Sequence, residues 1–428
     1  MNHRVLAGAD RIGGTCIEVT ADDGTAVLLD LGMPLYDDTG ADFPPRTHER
    51  PVRELVAEGI APDVPGLWAD DPSPRYAAIV LTHAHLDHYG LAHHAHPGIP
   101  VYASRGTAAM IDVRRVFSPR GARPREVREL PSRGALRIGG LTVTPVPVNH
   151  SAPDARALLV EADGESLLYT GDWRAHGRTA VGRRSLLADE RLRGLGTLIC
   201  EGTMLGTDAE LHGADDESSV ERRLAALCAE TDSAVVVLSS GQHPDRVISA
   251  FRAAKRAGRQ LVLDPYQAYV QERLRPLSRL LPQYDWPGVR VKFVRAHVRA
   301  LKDAGLMPWV YRVRDAAKLE TREFALHPER FLVLARNNTP TMLLLDKLAD
   351  AADFVYSQAP GASTEVYITV PPAARAVNVG EHYFEFVMLM GGSDSSFVDV
   401  TTARLNGTIS GLPGSRYVTL RNEGAYVS

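Results

Sequence analysis

The chain has 428 residues, of which 44% are hydrophobic, so it can form a substantial core. Its formal net charge is −4 at pH 7, and this acidic balance argues against a basic field over the whole chain that would attract nucleic acid. The three cysteines have no short spacing and favour a reducing compartment over a disulfide framework.

Membrane and export signals are not evident in the sequence. No apolar run approaches the roughly 20 residues that a membrane helix needs. The first residues lead into Gly and Asp rather than into the apolar segment of a signal peptide. We therefore expect a cytoplasmic protein that does not act at a membrane.

The first 172 residues are dominated by β-prone segments. Residues 15–20 and 26–31 flank an Asp-Gly turn and predict a hairpin. Residues 77–82 (AAIVLT) form a short continuous apolar run, which is typical of a strand that is covered on both faces. A further β-rich stretch over 141–172 contains a second Asp-Gly turn and ends at Asp172.

The hydrophobic period changes after residue 201. Residues 235–238 and 261–264 predict buried strands, and between them a helix begins at Pro244, a favourable first helical position. Residues 331–349 resemble another strand-helix pair. Strand-helix alternation predicts a parallel α/β module over about 202–360.

A dense group of metal-ligand residue types directly follows the predicted strand at 77–82. The segment 81–90 reads LTHAHLDHYG and contains His83, His85, Asp87 and His88. Loops at strand ends can direct several side chains at one point, and imidazole with carboxylate suits zinc, with manganese as the alternative. The competing interpretation is a histidine-rich surface loop. The nearby His93, His94 and His96 are expected on a helix and its exit, exposed to solvent.

The pattern His-x-His-x-Asp-His after a strand resembles the signature of the metallo-β-lactamase superfamily. Three downstream or upstream positions extend the resemblance: His150 in PVNHSAPDA, Asp172 in YTGDW and Asp30 in LLDLG. The resemblance implies an α/β fold, the metallo-β-lactamase αββα sandwich. It also implies that Asp30 braces the ligand loop through hydrogen bonds.

The resemblance implies a site for two divalent metal ions, with zinc preferred and manganese possible as a substitute. One ion would be held by His83, His85 and His150, the other by Asp87 and His88, and Asp172 would bridge them. A hydroxide shared by the two ions would attack the substrate, and Asp87 would act as a catalytic residue that orients it.

The predicted α/β module resembles the insertion of the β-CASP branch, to which ribonuclease J belongs. Glu201 in LICEGTM resembles the acidic motif at which that insertion begins. The implied domains are a first metallo-β-lactamase part over 1–201, a β-CASP-like α/β lobe over 202–360, and a divergent return to the first domain over 361–428. RNA or another phosphodiester is then the expected substrate.

The C-terminal part departs from that branch. Its late Ser-Gly-His-Ala type of motif has no counterpart here, and 361–428 contains one histidine, His382. This residue either completes the second metal site or is structural. Residues 391–428 match no motif of the branch.

Arginines are concentrated near the predicted site, where they form either a basic rim or a solvated loop. They are Arg114, Arg115, Arg120, Arg123, Arg125, Arg128, Arg133 and Arg137. His176 is a candidate pocket residue or an exposed loop residue.

The sequence thus predicts a metal-dependent phosphodiesterase that resembles ribonuclease J and acts on RNA. Two alternatives remain open: a hydrolase of the same fold that cleaves a small ester, thioester or lactone, and a non-catalytic metal-binding regulatory protein. Nothing in the sequence indicates a homo-oligomer.

Overall fold

A computed structural model describes most of residues 1–336 and four short strands beyond them. Within 1–336 the gaps are 10, 38, 42, 45, 119–123, 125, 175–176, 179–185, 187–188 and 203–215. His176, His382 and the helix predicted after 340 lie outside the described residues. The chain divides into two compact units, Met1–Gly206 and Thr207–Ser428.

The first unit contains two sheets, the first of which has six strands in sequence order. Its strands are β1 (Asn2–Ala7), β2 (Cys16–Thr20), β3 (Ala26–Leu29), β4 (Ala78–Val80), β5 (Val101–Ala103) and β6 (Val127–Glu129). The pairs from β1 to β3 are antiparallel and those from β3 to β6 are parallel. The predicted hairpin is confirmed as β2 and β3, with Gly24 at a φ of 84° in its turn.

The second sheet has five strands in the order β11-β10-β9-β8-β7. Its strands are β7 (Leu136–Ile138), β8 (Leu141–Pro147), β9 (Arg156–Ala162), β10 (Glu165–Tyr169) and β11 (Thr197–Ile199). The first three pairs along the chain are antiparallel, and β10 pairs with β11 in parallel. The β-rich stretch predicted over 141–172 is therefore confirmed as three consecutive strands.

The core of the first unit lies between these two sheets. Alternate residues of each strand point to the same face, so every second apolar residue reaches the opposite sheet. The facing residues are Ile17, Val19, Val27, Leu29, Ala78 and Val80 on the first sheet and Leu141, Val143, Leu158, Val160 and Leu167 on the second. Burial of each valine or leucine side chain stabilises the fold by about 1.5–3 kcal/mol.

Among the described residues of the first unit, three helices accompany these sheets: α1 (Val52–Ala57), α2 (Leu86–Tyr89) and α3 (Arg105–Phe117). Three 3-10 turns are formed by Thr47–Glu49, Ala92–His94 and Glu190–Leu192. Helix α3 begins after Ser104, whose hydroxyl accepts a hydrogen bond from the Thr107 amide at 3.2 Å. Helix α2 is a single turn and carries Asp87 and His88.

The second unit contains a five-stranded sheet in which all neighbouring strands are parallel. Its order is β14-β13-β15-β12-β16, with β12 (Ala234–Leu238), β13 (Gln260–Leu263), β14 (Val289–Val291), β15 (Phe331–Ala335) and β16 (Ala352–Tyr356). The predicted parallel α/β module is therefore confirmed. Parallel strands need crossover connections, and helices supply them here.

The helices of this unit are α4 (Glu217–Glu230), α5 (Pro244–Arg256), α6 (Pro265–Leu274), α7 (Arg295–Asp303), α8 (Met307–Ala317) and α9 (Thr321–Leu326), with a 3-10 turn at Pro328–Arg330. Helices α4 and α5 bury Val220, Leu224 and Val247 against strands of the sheet. Pro244 occupies the start of α5, as predicted. Gly258 follows its end at a φ of 70°, where glycine avoids the strain of a side chain.

A small antiparallel sheet follows, in the order β17-β19-β18, from β17 (Glu365–Thr369), β18 (Ile409–Ser410) and β19 (Tyr417–Arg421). The predicted domain limits at 201/202 and 360/361 stay predictions. Within the described part of the chain, every helix is too short or too polar to cross a membrane.

Candidate metal centre

The candidate ligands lie at strand ends on one edge of the first unit. His83, His85, Asp87 and His88 follow β4, and Asp30 follows the neighbouring parallel strand β3. His150 and Asp172 follow β8 and β10, which run in the same direction as each other in the second sheet. Because chain segments that leave such strands meet at one edge, residues distant in sequence become neighbours.

One group of side chains consists of His83, His85, His150 and Asp172. His85 Nδ1 lies 3.2 Å from His83 Nε2 and 3.0 Å from His150 Nε2. The Oδ2 atom of Asp172 is 3.6 Å from His150 Nε2 and 3.9 Å from His83 Nε2. Three nitrogens and one carboxylate oxygen therefore face a common point.

A second group consists of His83, Asp87 and His88. His88 Nε2 is 3.6 Å from Asp87 Oδ2 and 3.0 Å from Asp172 Oδ1. The two oxygens of Asp172 thus point to different groups, Oδ1 to His88 and Oδ2 to His83 and His150. All six predicted ligands are brought together by the fold.

These residues fit a divalent metal ion. A single proton on His85 Nδ1 cannot satisfy both neighbouring imidazole nitrogens, so hydrogen bonds among the histidines do not account for their convergence. Nitrogens bound to one tetrahedral ion with bonds of about 2.0 Å lie about 3.3 Å apart, close to the separations found here. Neutral imidazole and carboxylate are also the ligand types that zinc prefers.

Asp30 is the hydrogen-bonding centre behind the ligands. Its Oδ1 accepts the Thr82 amide at 2.7 Å, and its Oδ2 accepts the hydroxyls of Thr82 at 2.7 Å and Tyr169 at 2.8 Å. Oδ2 also lies 2.7 Å from His88 Nδ1. Asp30 is fully buried, so these donors supply the hydrogen bonds that its carboxyl oxygens would otherwise make with water.

This network sets which ring nitrogen of each histidine is free. His88 Nδ1 donates to Asp30, so Nε2, which faces Asp172, is the ring nitrogen that is available to a metal ion. Thr82 donates its hydroxyl proton to Asp30, so its oxygen accepts from His83 Nδ1 at 3.0 Å. His83 Nε2 therefore also faces the cluster as a lone pair.

Burial and charge act differently on the four histidines. Burial lowers the pKa of His83, His85 and His150 below the ordinary value, which favours the neutral ligand form. For His88 the same effect of burial is outweighed by the charges of Asp172, Asp87 and Asp30, so its pKa is raised. The carboxylates thus stabilise a positive charge at this position, and a bound metal ion would take the place of the His88 proton.

Two glycines let neighbouring segments approach Asp87. A Cβ atom on Gly32 would lie 1.6 Å from the Asp87 carbonyl oxygen, and one on Gly13 would lie 2.6 Å from the Asp87 Cβ. Gly13 also has a φ of 79°. The chain before and after the first hairpin therefore packs directly on the ligand-bearing turn.

The prediction that His93 and His94 are solvated is wrong. Both are half-buried, with ring centroids 3.8 Å apart, and His94 Nε2 lies 2.9 Å from the carbonyl oxygen of His48. Arg114, one of the predicted basic rim residues, lies 2.8 Å from His48 Nε2. The loop at 47–49 covers these side chains, which local sequence could not reveal.

Of the other arginines in this group, some have carboxylate neighbours and some lie outside the described residues. Arg115 and Arg128 have carboxylate neighbours, Asp112 at 3.3 Å and Glu126 at 3.7 Å respectively. Arg120, Arg123 and Arg125 lie outside the described residues, so a continuous basic rim stays a prediction.

Sequence reasoning did not single out Thr82 and Tyr169, whose hydroxyls hold Asp30. Thr82 immediately precedes His83, and Tyr169 ends the strand that leads to Asp172. The feature of the sequence that could have identified them is their position close to predicted metal ligands. Glu201, predicted to begin the inserted module, follows β11 and lies 3.5 Å from the amide of Trp173.

Comparisons with known proteins agree with this geometry. Residues 51–239 match the family model described as "Beta-lactamase superfamily domain". Ribonuclease J from Sinorhizobium meliloti is 31% identical over 235 residues, covering 53% of this chain and 39% of that protein. Ribonuclease J from Mycobacterium tuberculosis is 32% identical over 248 residues, covering 55% of this chain and 41% of that protein. The chain matches well under half the length of these relatives.

A solved structure from Enterococcus faecalis, titled as a protein of unknown function, has a similar fold. It superposes with a TM-score of 0.64 at 21% identity and covers 83% of this chain and 80% of that chain. At this identity the likeness concerns the fold alone.

Proposed function

We propose that the chain is a metal-dependent hydrolase of the metallo-β-lactamase superfamily that cleaves phosphodiester bonds of RNA, because residues 51–239 match the family model and the chain resembles ribonuclease J. The observation that carries the proposal is the convergence of His83, His85 and His150 with Asp172, whose other oxygen faces His88. This donor set suits a divalent metal ion.

We assign His83, His85 and His150 to one ion, Asp87 and His88 to a second, and Asp172 to both. Zinc is the metal that this mixture of imidazole and carboxylate favours, and manganese is the alternative. Bound by these residues, two such ions would supply water activated at neutral pH and would neutralise charge on the oxygens of a phosphoryl group.

The protein side chains supply orientation and proton control. Asp30, Thr82 and Tyr169 keep the imidazoles in one tautomer and one rotamer, which positions their lone pairs before substrate binds. Asp87 is nearly buried and lies at the edge of the cluster, 3.6 Å from His88 Nε2. We propose that its carboxylate orients the attacking water and accepts its proton.

The proposal extends to the domain organisation. We propose that 202–360 is a β-CASP-like lobe, on the basis of its parallel α/β sheet and its position after Asp172. The role of 361–428 as a return to the first domain is likewise proposed.

The function is tested with the purified full chain in a titration of zinc or manganese. We expect about two bound metal equivalents and turnover of bis-p-nitrophenyl phosphate and single-stranded RNA. His83→Ala should lower turnover by at least about 10²-fold, because it removes one of the three histidines assigned to the first ion. His3→Ala is the matched control, since His3 is exposed on β1.

The proposal fails if a nitrophenyl ester or a lactone is hydrolysed while both phosphodiesters remain intact at every metal concentration. That result would assign the site to a small-molecule hydrolase. Metal binding without any turnover would instead support a regulatory protein.

A further inference from the structure

Helix α7 presents three basic side chains on one exposed face. Arg295, Arg299 and Lys302 are spaced by four and three residues, so they are neighbours on the helix surface. His297 and Leu301 lie on the opposite face and are buried. The helix is therefore anchored by one side and displays a line of positive charge on the other.

The charges of these cations are not neutralised by any carboxylate in the described part of the unit. Arg295, Arg299 and Lys302 form no ion pair with any residue that the structure describes. Other basic residues of the unit do pair, as Arg290 does with Glu323 at 2.7 Å. The three like charges repel one another, and Arg295 lies in the first turn, where the helix dipole disfavours a cation. An anion bound at this face would relieve both effects.

The basic face forms one side of an open cleft of about 610 Å³, called here the α7 cleft. Its lining consists of Phe293, Arg295, Val298, Arg299, Lys302, Asp303 and Met307. Among these described residues only Asp303 carries a negative charge, so the cleft is positive overall. Phe293, Val298 and Met307 are half-buried and give it an apolar floor beside the cations.

The position of the cleft in the fold also suits a ligand. Phe293 follows β14 by two residues, so the α7 cleft begins at the carboxyl end of a strand in a parallel sheet. Ligands of open parallel α/β sheets bind outside the carboxyl ends of the strands.

We propose that the α7 cleft binds single-stranded RNA, with Arg295, Arg299 and Lys302 on the phosphates and Phe293 against a base. Alternating phosphate and aromatic contacts are the common physical basis of single-strand recognition. This inference rests on the proposed function in so far as RNA is the substrate. It adds a binding surface that contains none of the candidate metal ligands.

The test measures binding of a fluorescent phosphorothioate single-stranded RNA to the full chain over a range of salt concentrations. The double variant Arg299→Gln with Lys302→Gln removes two charges and retains good helix formers. We expect roughly tenfold weaker binding at about 0.1 M salt, and a salt dependence of log affinity that is shallower by roughly 1.4. Phe293→Ala should weaken binding without changing the salt dependence.

The matched control is Lys255→Gln with Arg279→Gln, which removes the same two charges from exposed positions of the same unit. This control should bind RNA as the unaltered chain does. Equal affinity of the α7 variant and the control would overturn the inference. The inference would also be overturned if polyglutamate bound to the full chain as tightly as RNA and lost its affinity in the α7 variant. That result would identify the α7 cleft as a site for acidic peptides.

Turnover of bis-p-nitrophenyl phosphate separates this inference from the proposed function. The substrate is too small to need the α7 cleft, so the α7 variant should hydrolyse it at an unchanged rate. If the chain turns over phosphodiesters but the α7 substitutions do not change its affinity for RNA, the proposed function is supported and the inference about the α7 cleft is refuted. RNA binding that depends on the cleft without phosphodiester turnover would refute the function and support the cleft.

Discussion

At the scale of single residues, Asp30 connects the fold to the candidate metal centre. Its backbone is left-handed, with a φ of 61°, a conformation that costs a residue other than glycine about 1–3 kcal/mol. The carboxylate offsets this cost by accepting from Thr82, Tyr169 and His88 in a fully buried site. The strained backbone of Asp30 thus holds the carboxylate that orients the candidate ligand His88.

Replacement of Asp30 by asparagine should weaken metal binding by about 10- to 100-fold and lower the stability by about 1–3 kcal/mol. Asparagine tolerates the left-handed backbone, but the NH₂ group of its amide would face the donor groups of Thr82, Tyr169 and His88, where an acceptor is needed. Isothermal titration with zinc and urea unfolding measure the two effects. Asp163→Asn is the control, because Asp163 has a φ of 55° in an exposed turn. Equal effects of both substitutions would contradict the role assigned to Asp30.

Gly32→Ala should disturb the ligand-bearing turn itself. The added Cβ would overlap the Asp87 carbonyl oxygen, so either Asp87 moves or the chain around Gly32 is displaced. We expect a loss of stability of about 3 kcal/mol or more, together with a loss of metal binding. Gly59→Ala, with a φ of 70° and open space around it, should cost only about 1–2 kcal/mol. Thermal unfolding with and without zinc compares the two variants.

At the scale of elements, capping residues define where helices begin. Asp216 precedes α4, and its Oδ1 accepts the Ser219 amide at 2.7 Å. Asp264 precedes α6 and forms a reciprocal capping box with Gln267. Each cap satisfies amide groups that the first helical turn leaves without a partner.

Asp216→Ala should therefore lower the stability of the second unit by about 0.5–2 kcal/mol. Asp216→Asn keeps an oxygen acceptor and should lose much less. Denaturant unfolding of the full chain, monitored by far-ultraviolet circular dichroism, tests the difference. Two variants of identical stability would mean that the hydrogen bond to Ser219 does not limit helix formation.

At the scale of the whole molecule, the candidate metal centre joins segments from both sheets of the first unit. A metal ion that binds only the folded chain stabilises it by about 2.7 kcal/mol when its free concentration is 100 times the dissociation constant. In the metal-free protein, His88 has a raised pKa and contributes stability that is present below its ordinary pKa and is lost as the pH rises. A bound cation would take over this role.

We accordingly expect zinc to raise the unfolding temperature at neutral pH. The increase should shrink as the pH falls, because protons compete with zinc first at His88, whose pKa is raised, and only at lower pH at the other three histidines, whose pKa values are lowered. Differential scanning calorimetry with zinc and with a chelator measures the shift. The shift should vanish in His83→Ala and persist in His3→Ala. A shift of equal size in both variants would place the metal elsewhere.

The sequence by itself determined the local features of this protein. The hairpin, the buried strand before the histidines and the parallel α/β module follow from periodicity and turn residues, which act over a few positions. The cluster from His83 to His88 was also recognisable, because four candidate ligands occupy six consecutive positions after a strand.

Only the tertiary structure decided which distant residues meet. Tyr169 reaches Asp30 across 139 positions, and His48 covers His93 and His94, although no periodicity in the sequence encodes either contact. The α7 cleft could likewise not be predicted, since the sequence does not show which arginines form ion pairs. Side-chain partners depend on how strands and helices pack, and packing is a property of the folded chain.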